Sequence, residues 1–239
     1  LGVRGAVRLG TMLASNSTIR TLDLVSTSLD HRALDALLDG LRSNPDSALE
    51  RLYLGGNHFG ERDATIIGEL VAVCPSLRFL SVAPNPIGDD GFRVLADRVS
   101  VLDRPVGLGM SNCGLGPGAA GGLRAAASFA TQLDLGPRPD WAASGGVRNG
   151  VGDPSAVALA EMVGHGNSPL RTLSLVANGV TSRGAGALAE ALELGHHQLH
   201  DVQIGKGVAT SLRRRIRQAL VAAPPSEPDD LSVIRSRYR

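Results

Sequence analysis

Apolar residues recur along this chain at fixed spacings, with one polar residue at a fixed place among them. The pattern is L-x-x-L-x-L-x-x-N-x-L, and one copy places Leu49, Leu52, Leu54, Asn57 and Phe59 at its defined positions. The alternation in L-x-L predicts a short strand with one buried face. We expect the asparagine to turn inward and pair with backbone groups of the turn, because an unpaired buried N–H or C=O is costly.

Further copies of this pattern follow at a period near 28 residues. The first four begin at residues 19, 49, 77 and 105, so their offsets are 30, 28 and 28, and later copies begin at Leu170 and Leu199. The gap of 65 residues between positions 105 and 170 needs a hidden copy. Ala130, Leu133 and Leu135 supply its strand, but its turn comes eleven residues late, at Asn149. The sequence therefore predicts seven strands, with an insertion at about 136–148.

A helix is predicted after each turn, on the evidence of the apolar spacing. Apolar residues at positions 64, 67, 70 and 71, and again at 185, 188, 191 and 192, lie three or four residues apart. Leu212 to Val221 forms a last helix in this interpretation. Repeated strand and helix predict a parallel sheet on the inner curve, with helices on the outside.

With this motif and period, the chain resembles leucine-rich repeat proteins of the ribonuclease-inhibitor-like class. The segment 184–192, Gly-Ala-Gly-Ala-Leu-Ala-Glu-Ala-Leu, is similar to the convex-side helix of that class, and 88–91 to the opening of such a helix. The resemblance implies an α/β, right-handed horseshoe solenoid over residues 1–222. Residues 223–239 depart from the repeat, and we expect them to form a C-terminal capping tail. Leu1 aligns with the middle of a repeat, which suggests either a fragment of a longer protein or a helix that is itself the cap.

Composition narrows the classes of partner. Among 239 residues the net charge is +1, which gives no electrostatic reason to expect nucleic acid or a membrane surface. Two cysteines do not make a disulfide framework. The sequence has no apolar run long enough for a membrane helix and does not open with a signal peptide. We therefore expect a reducing, cytoplasmic compartment. The oligomeric state is not predicted.

Several local motifs suggest chemistry, but each fits the repeat better. The glycine-rich stretch 107–118 resembles a nucleotide loop, yet its glycines fall in phase with the repeat. The histidines at 196, 197 and 200 have no cysteine at ligand spacing, so we interpret them as surface polar residues. Cys113 stands at the asparagine position of its repeat, and Cys74 lies near a helix end. The arginines of 213–217 and 235–239 are interpreted as a solvated cap, neutralised by Glu227, Asp229 and Asp230. We therefore expect no cofactor and no metal.

The residues that flank the inward leucines should face the concave surface. Parallel strands in register place Phe79 beside Arg51, and Tyr53 between Asp23 and Ser81. With aromatics at 3%, exposed Tyr53 and Phe79 beside an arginine are typical of interface anchors. The alternative is that the two rings only pack on each other across the strands. Asp134 lies at the equivalent position of a later strand.

The insertion adds two more candidates, Arg138 and Trp141, at the rim of the concave face. Either they contact a partner, or Trp141 folds back onto the core. The predicted partner-binding set is Asp23, Arg51, Tyr53, Phe79, Ser81, Asp134, Arg138 and Trp141. It contains no convergent catalytic groups, which favours a protein- or peptide-binding scaffold over an enzyme. The other hypothesis is a regulator or inhibitor of a partner enzyme, acting by occlusion or by assisting a small GTPase.

Overall fold

Helices and strands alternate along the chain. The structure is a computed structural model, and it describes residues 1–102, 104–137 and 146–222. Its strands are β1 (Thr21–Asp23), β2 (Arg51–Tyr53), β3 (Phe79–Ser81), β4 (Gly107–Gly109), β5 (Gln132–Asp134), β6 (Thr172–Leu175) and β7 (Asp201–Ile204). Its helices are α1 (Gly2–Leu13), α2 (His31–Arg42), α3 (Ala64–Val73), α4 (Gly88–Ser100), α5 (Ala120–Ala127), α6 (Gly152–Gly164), α7 (Ser182–Glu193) and α8 (Thr210–Ala219). Within these residues, no helix has the length and apolar character that a membrane crossing needs.

The seven strands form one parallel sheet in sequence order, as a solenoid requires. The predicted register is confirmed at every step, including the hidden copy, where Leu108 pairs with Leu133 and Leu133 with Leu173. The copy that begins at Pro105 is as regular as its neighbours, since Leu80 pairs with Leu108. A proline at the first motif position does not disturb the sheet, because it precedes the paired residues.

The core is a stack of aliphatic layers between this sheet and the helices. The central leucine of each strand from β2 to β6 is fully buried, as are the inward side chains of the helices that follow. Phe59 and Phe92 are the two aromatic residues among the largest fully buried side chains. Thin layers of leucine, valine and alanine are enough to form this core, because each repeat packs only against its neighbours.

Where a repeat has an inward asparagine, that side chain pairs with the turn of the repeat before it. The Asn85 Oδ1 atom accepts hydrogen bonds from the backbone N–H groups of Asn57 and Phe59, at 2.9 and 3.1 Å. Its Nδ2 group donates to the backbone carbonyls of Leu54 and Val82. One fully buried side chain therefore pairs four buried backbone groups from two successive repeats.

This ladder of asparagines runs along the solenoid and changes at two places. Asn57 serves the first turn in the same way, and Asn149 accepts from the N–H groups of Cys113 and Leu115. Cys113 occupies one step, where its thiol donates to the backbone carbonyls of Val82 and Ser111, at 3.9 and 3.6 Å. Asn178 donates to two carbonyls, but its Oδ1 atom has no hydrogen-bond partner among the described residues. The weakest step of the ladder thus follows the insertion.

Polar side chains also join the helices of adjacent repeats. The Asp153 carboxylate accepts from the hydroxyl and backbone N–H of Thr181 and from the N–H of Gly184, at the start of α7. The Thr181 hydroxyl is the main reason that the pKa of Asp153 lies below its ordinary value. At the opposite helix end, the Arg104 guanidinium donates to the carbonyls of Val71, Cys74 and Leu77 after α3. Both helix ends therefore receive partners from the neighbouring repeat.

The chain rejoins the repeat before the predicted end of the insertion. Val147 forms a parallel bridge with Cys113, in which its N–H donates to the Asn112 carbonyl and its carbonyl accepts from Gly114. A Cβ atom on Gly146 would lie 2.6 Å from the Cβ atom of Pro84, so this segment crosses the turn that follows β3. Val147 thus pairs with the repeat one residue before the end predicted for the insertion, at about 148.

Two further expectations are wrong in detail. The last helix ends at Ala219, because the chain turns there and the Val221 N–H donates to the Leu199 carbonyl at 3.0 Å. His197 is not a surface residue: it is buried, and its ring nitrogens meet the Leu192 carbonyl and the Leu199 N–H. It caps the end of α7, which local sequence could not indicate.

Replacing Asn85 by alanine should lower the free energy of unfolding by about 3 kcal/mol or more, because several buried backbone groups lose their partners. Asn85→Cys should cost clearly less, since a cysteine already fills this position at Cys113. Urea denaturation of both variants measures the difference. Equal losses, or an alanine variant as stable as the parent, would contradict the role given to the ladder.

Candidate functional site

The concave surface is built from the side chains that flank the inward leucine of each strand. On β1 to β3 these include an arginine and two aromatic residues, on β4 both are glycines, and on β5 to β7 they are polar or acidic. Across the sheet they read Thr21 and Asp23, Arg51 and Tyr53, Phe79 and Ser81, Gly107 and Gly109, Gln132 and Asp134, Thr172 and Ser174, Asp201 and Gln203. The surface therefore changes character at its central strand.

The Phe79 ring lies against the central strand. A Cβ atom on Gly107 would lie 2.8 Å from its Cδ2 atom, and one on Gly109 would lie 3.4 Å from its Cζ atom. On the other side the ring contacts Tyr53, with ring centroids 5.7 Å apart and planes tilted by 49°. Because a side chain at position 107 would displace the ring, the glycines of β4 form its seat. Gly107 and Gly109 thus have a packing role.

Two members of the predicted set are not exposed. Tyr53 is 6% exposed and Ser81 is 5% exposed, so the expectation that Tyr53 is an accessible anchor is wrong. The reason is the register: Phe79 lies beside Tyr53 on the next strand, and its ring covers the tyrosine. Phe79 itself stays half-buried. The cross-strand packing that was the alternative hypothesis does occur, and Tyr53 supports Phe79 from beneath.

The charged members of the set lie on the flanks of this aromatic pair. Asp23 is exposed on β1, and Arg51 is half-buried on β2, where its guanidinium lies 3.9 Å from Glu50. Asp23 and Asp134 each accept a hydrogen bond from the backbone N–H two residues later, at 3.0 and 3.3 Å. These two aspartates therefore shape the strand ends and also present a carboxylate to the concave side.

Two buried polar atoms that have no partner among the described residues lie beside the same face. Ser111 and Asn112, in the turn after β4, are both buried, and Ser111 Oγ and Asn112 Oδ1 make no hydrogen bond to any described residue. Gly146, where the inserted segment rejoins the repeat, would place a Cβ atom 3.0 Å from Asn112. Arg138 and Trp141 lie outside the described residues. The turn after β4 is thus the place where the insertion and the concave face meet, a proximity that motif spacing does not indicate.

The described residues offer no obvious reactive centre on this face. No group of three or more His, Cys, Asp or Glu that could hold a metal ion is found within 1–102, 104–137 and 146–222. Burial raises the pKa of the Cys74 and Cys113 thiols to about 12, and the Arg104 guanidinium only partly opposes the shift at Cys74. Both cysteines therefore belong to the core, away from the concave side chains.

Comparison with known proteins shows which kind of repeat the chain contains. The leucine-rich repeat family model matches residues 73–96 and 166–189. The chain is 29% identical over 188 residues to the ribonuclease inhibitor of Sus scrofa, covering 76% of this chain and 38% of that protein. The chain is a leucine-rich repeat protein, and it is similar to the ribonuclease-inhibitor-like class of these proteins. This similarity agrees with the register of the sheet and with the ladder of inward asparagines.

Other relatives of this leucine-rich repeat protein are much longer than the chain. It is 28% identical over 198 residues to NACHT, LRR and PYD domains-containing protein 12 of Mus musculus, covering 80% of this chain and 18% of that protein. The chain thus spans less than two-fifths of the length of these curated relatives. A tropomodulin C-terminal domain from Caenorhabditis elegans aligns with 98% of this chain and 96% of its own, at 12% identity and a TM-score of 0.38.

Tyr53→Ala should destabilise the protein by about 3 kcal/mol, as expected for a buried aromatic residue. Phe79→Ala should cost only about 1 kcal/mol, because the ring is half-exposed and rests on glycine. Chemical denaturation of the two single variants separates these roles. A Phe79→Ala loss equal to that of Tyr53→Ala would show that Phe79 is a core residue.

The two thiols should resist labelling in the folded protein. With the pKa raised to about 12, Cys74 and Cys113 stay protonated and covered at pH 8, so a maleimide should react only after denaturation. The pKa of these thiols is higher in the folded protein than in the unfolded chain. Their contribution to the free energy of unfolding is therefore complete below the pKa of the unfolded chain, and it decreases as the pH rises toward 12. Rapid labelling of either thiol without denaturant would contradict the burial of its repeat.

Proposed function

We propose that this leucine-rich repeat protein is a scaffold that binds a protein or peptide partner on its concave face. The supporting observation is the half-exposed Phe79 ring, which is held on a glycine seat near the centre of the sheet. Aromatic anchors of low conformational freedom carry much of the energy of protein interfaces. The proposed function needs neither a cofactor nor a catalytic group.

The partner should meet two chemically different halves of this face. Around Phe79 it would contact an aromatic ring and the Arg51 guanidinium, a combination enriched in interface cores. Beyond the glycines it would contact Gln132 and Asp134, which suit hydrogen bonding. A segment with an apolar or aromatic side chain followed by donor groups fits this order. Asp23 lies at the outer edge of the first half.

The inserted segment is the second part of the proposed site. It leaves the repeat after β5 and rejoins it at Gly146, beside Pro84 and Asn112. Arg138 and Trp141 lie in this insertion, outside the described residues. We propose that they contribute to the same interface, because long loops on a rigid scaffold often carry recognition.

A regulatory role is the second candidate. One relative is named a ribonuclease inhibitor, and its likeness covers most of this chain. A concave face that binds a partner can block that partner's own active site by occlusion. If this holds here, the captured partner is an enzyme, and its activity falls in proportion to the fraction bound.

The test is affinity capture from a lysate, followed by a quantitative titration of the captured protein. Phe79→Ala should weaken binding by about tenfold or more, as removal of an interface anchor does. Trp141→Ala should weaken it in addition if the insertion takes part. Isothermal titration of purified chain and partner gives each dissociation constant.

The matched control is Arg62→Ala, which removes an exposed side chain in the 3₁₀ turn before α3, away from the concave strands. Circular dichroism establishes that each variant is folded. A partner that binds Phe79→Ala as tightly as the parent, but loses affinity for Arg62→Ala, would place the interface on the helical side.

A further inference from the structure

The last repeat leaves part of the hydrophobic core uncovered. Val202 and Ile204 point inward from β7 but are only half-buried, whereas Leu173 and Leu175 at the same positions of β6 are buried. A cleft of about 420 Å³ lies between β7 and α8. Its apolar lining is completed by Ile216 and Leu220 of the helix.

The same cleft carries positive charge. Arg213 and Arg217 line it from α8, together with His200, Asp201 and Gln203 from the strand side. Arg217 is exposed and makes no ion pair with any described residue, while Arg215, two residues earlier, is paired with Glu193 at 2.7 Å. The cleft therefore combines an apolar floor with Arg217, an arginine that has no ion-pair partner within the described part of the chain.

The chain itself contains a segment of complementary chemistry. After Ala222 come Pro224, Pro225 and Pro228, then an acidic group and an apolar group in succession. The acidic residues are Glu227, Asp229 and Asp230, and the apolar residues are Leu231, Val233 and Ile234. Proline and charged residues are typical of segments that close a sheet edge without extending it.

We propose that residues 227–234 of the same chain occupy this cleft. The carboxylates of Asp229 and Asp230 pair with Arg213 and Arg217, and the apolar side chains that follow cover Val202, Ile204 and Ile216. The open edge of β7 is thereby closed, and the end of the core is protected from water.

The connection is long enough and begins in the right place. The Val221 N–H already donates to the Leu199 carbonyl, so the chain leaves α8 beside the beginning of β7. Five residues from position 222 to 227 span at most about 18 Å. A four-residue strand is about 10 Å long, so the segment can reach every part of the cleft.

Proximity can be tested by a designed disulfide in the full chain. Gln203→Cys with Ser232→Cys should cross-link under mild oxidation with diamide, within a single molecule. The two native thiols are buried and do not compete. Thr21→Cys with Ser232→Cys is the matched control, because Thr21 is exposed on β1 at the other end of the sheet, and it should not cross-link.

The charges are tested separately by hydrogen exchange of the β7 amides. Asp229→Arg with Asp230→Arg should speed their exchange by about tenfold, since an uncovered edge opens more easily. Adding Arg217→Glu should reverse part of this change. The control Arg237→Glu with Arg239→Glu alters the charge of the chain by the same amount, in the opposite direction and outside the segment, and should leave β7 unchanged.

Three results would overturn the proposal. One is a Gln203–Ser232 cysteine pair that does not cross-link. Another is cross-linking between molecules only, which would make a second copy the occupant. The third is β7 exchange that is unaffected by reversing the acidic charges, because then the segment does not cover the cleft.

Discussion

The structure depends on one repeated interaction, the pairing of an inward asparagine with the backbone of the preceding turn. A strand of three or four residues leaves its turn groups buried and unpaired, and an aliphatic core cannot satisfy them. Asn85 resolves this by accepting from Asn57 and Phe59 and donating to two carbonyls. Because each asparagine serves its own repeat and the previous one, the ladder sets the register, and the register then determines which side chains face inward.

The architecture was largely predictable from the sequence because this constraint is local and periodic. Motif spacing located all seven strands, even the strand of the hidden copy at Leu133. The candidate site was less predictable. Register correctly placed Phe79 beside Arg51, but it could not show that the Phe79 ring bends over Tyr53 and onto Gly107. Side-chain direction on a concave sheet depends on the space that neighbouring strands leave, and a single-strand motif carries no information about it.

Polar side chains at the helix ends and side chains on the concave face have different roles. Along the helices, Asp153 and Arg104 satisfy backbone groups of neighbouring repeats, so these charges serve the fold. On the concave side the inner strands are paired with a neighbour on each side, and Asp23 and Asp134 accept hydrogen bonds from the backbone. The Phe79 side chain has no such role, and its ring rests half-exposed on a rigid glycine seat. The proposed interface therefore uses residues that the repeat motif leaves unspecified.

The central claim is that the partner binds the concave sheet around Phe79, and a hydrogen-exchange footprint of the complex tests it most directly. The account predicts slower exchange on binding in the segments 51–53, 79–81, 107–109 and 132–134 and in the turn after β4. The convex helices α2 to α5 should be unaffected. Protection confined to those helices, or to β7 and α8, would contradict the account.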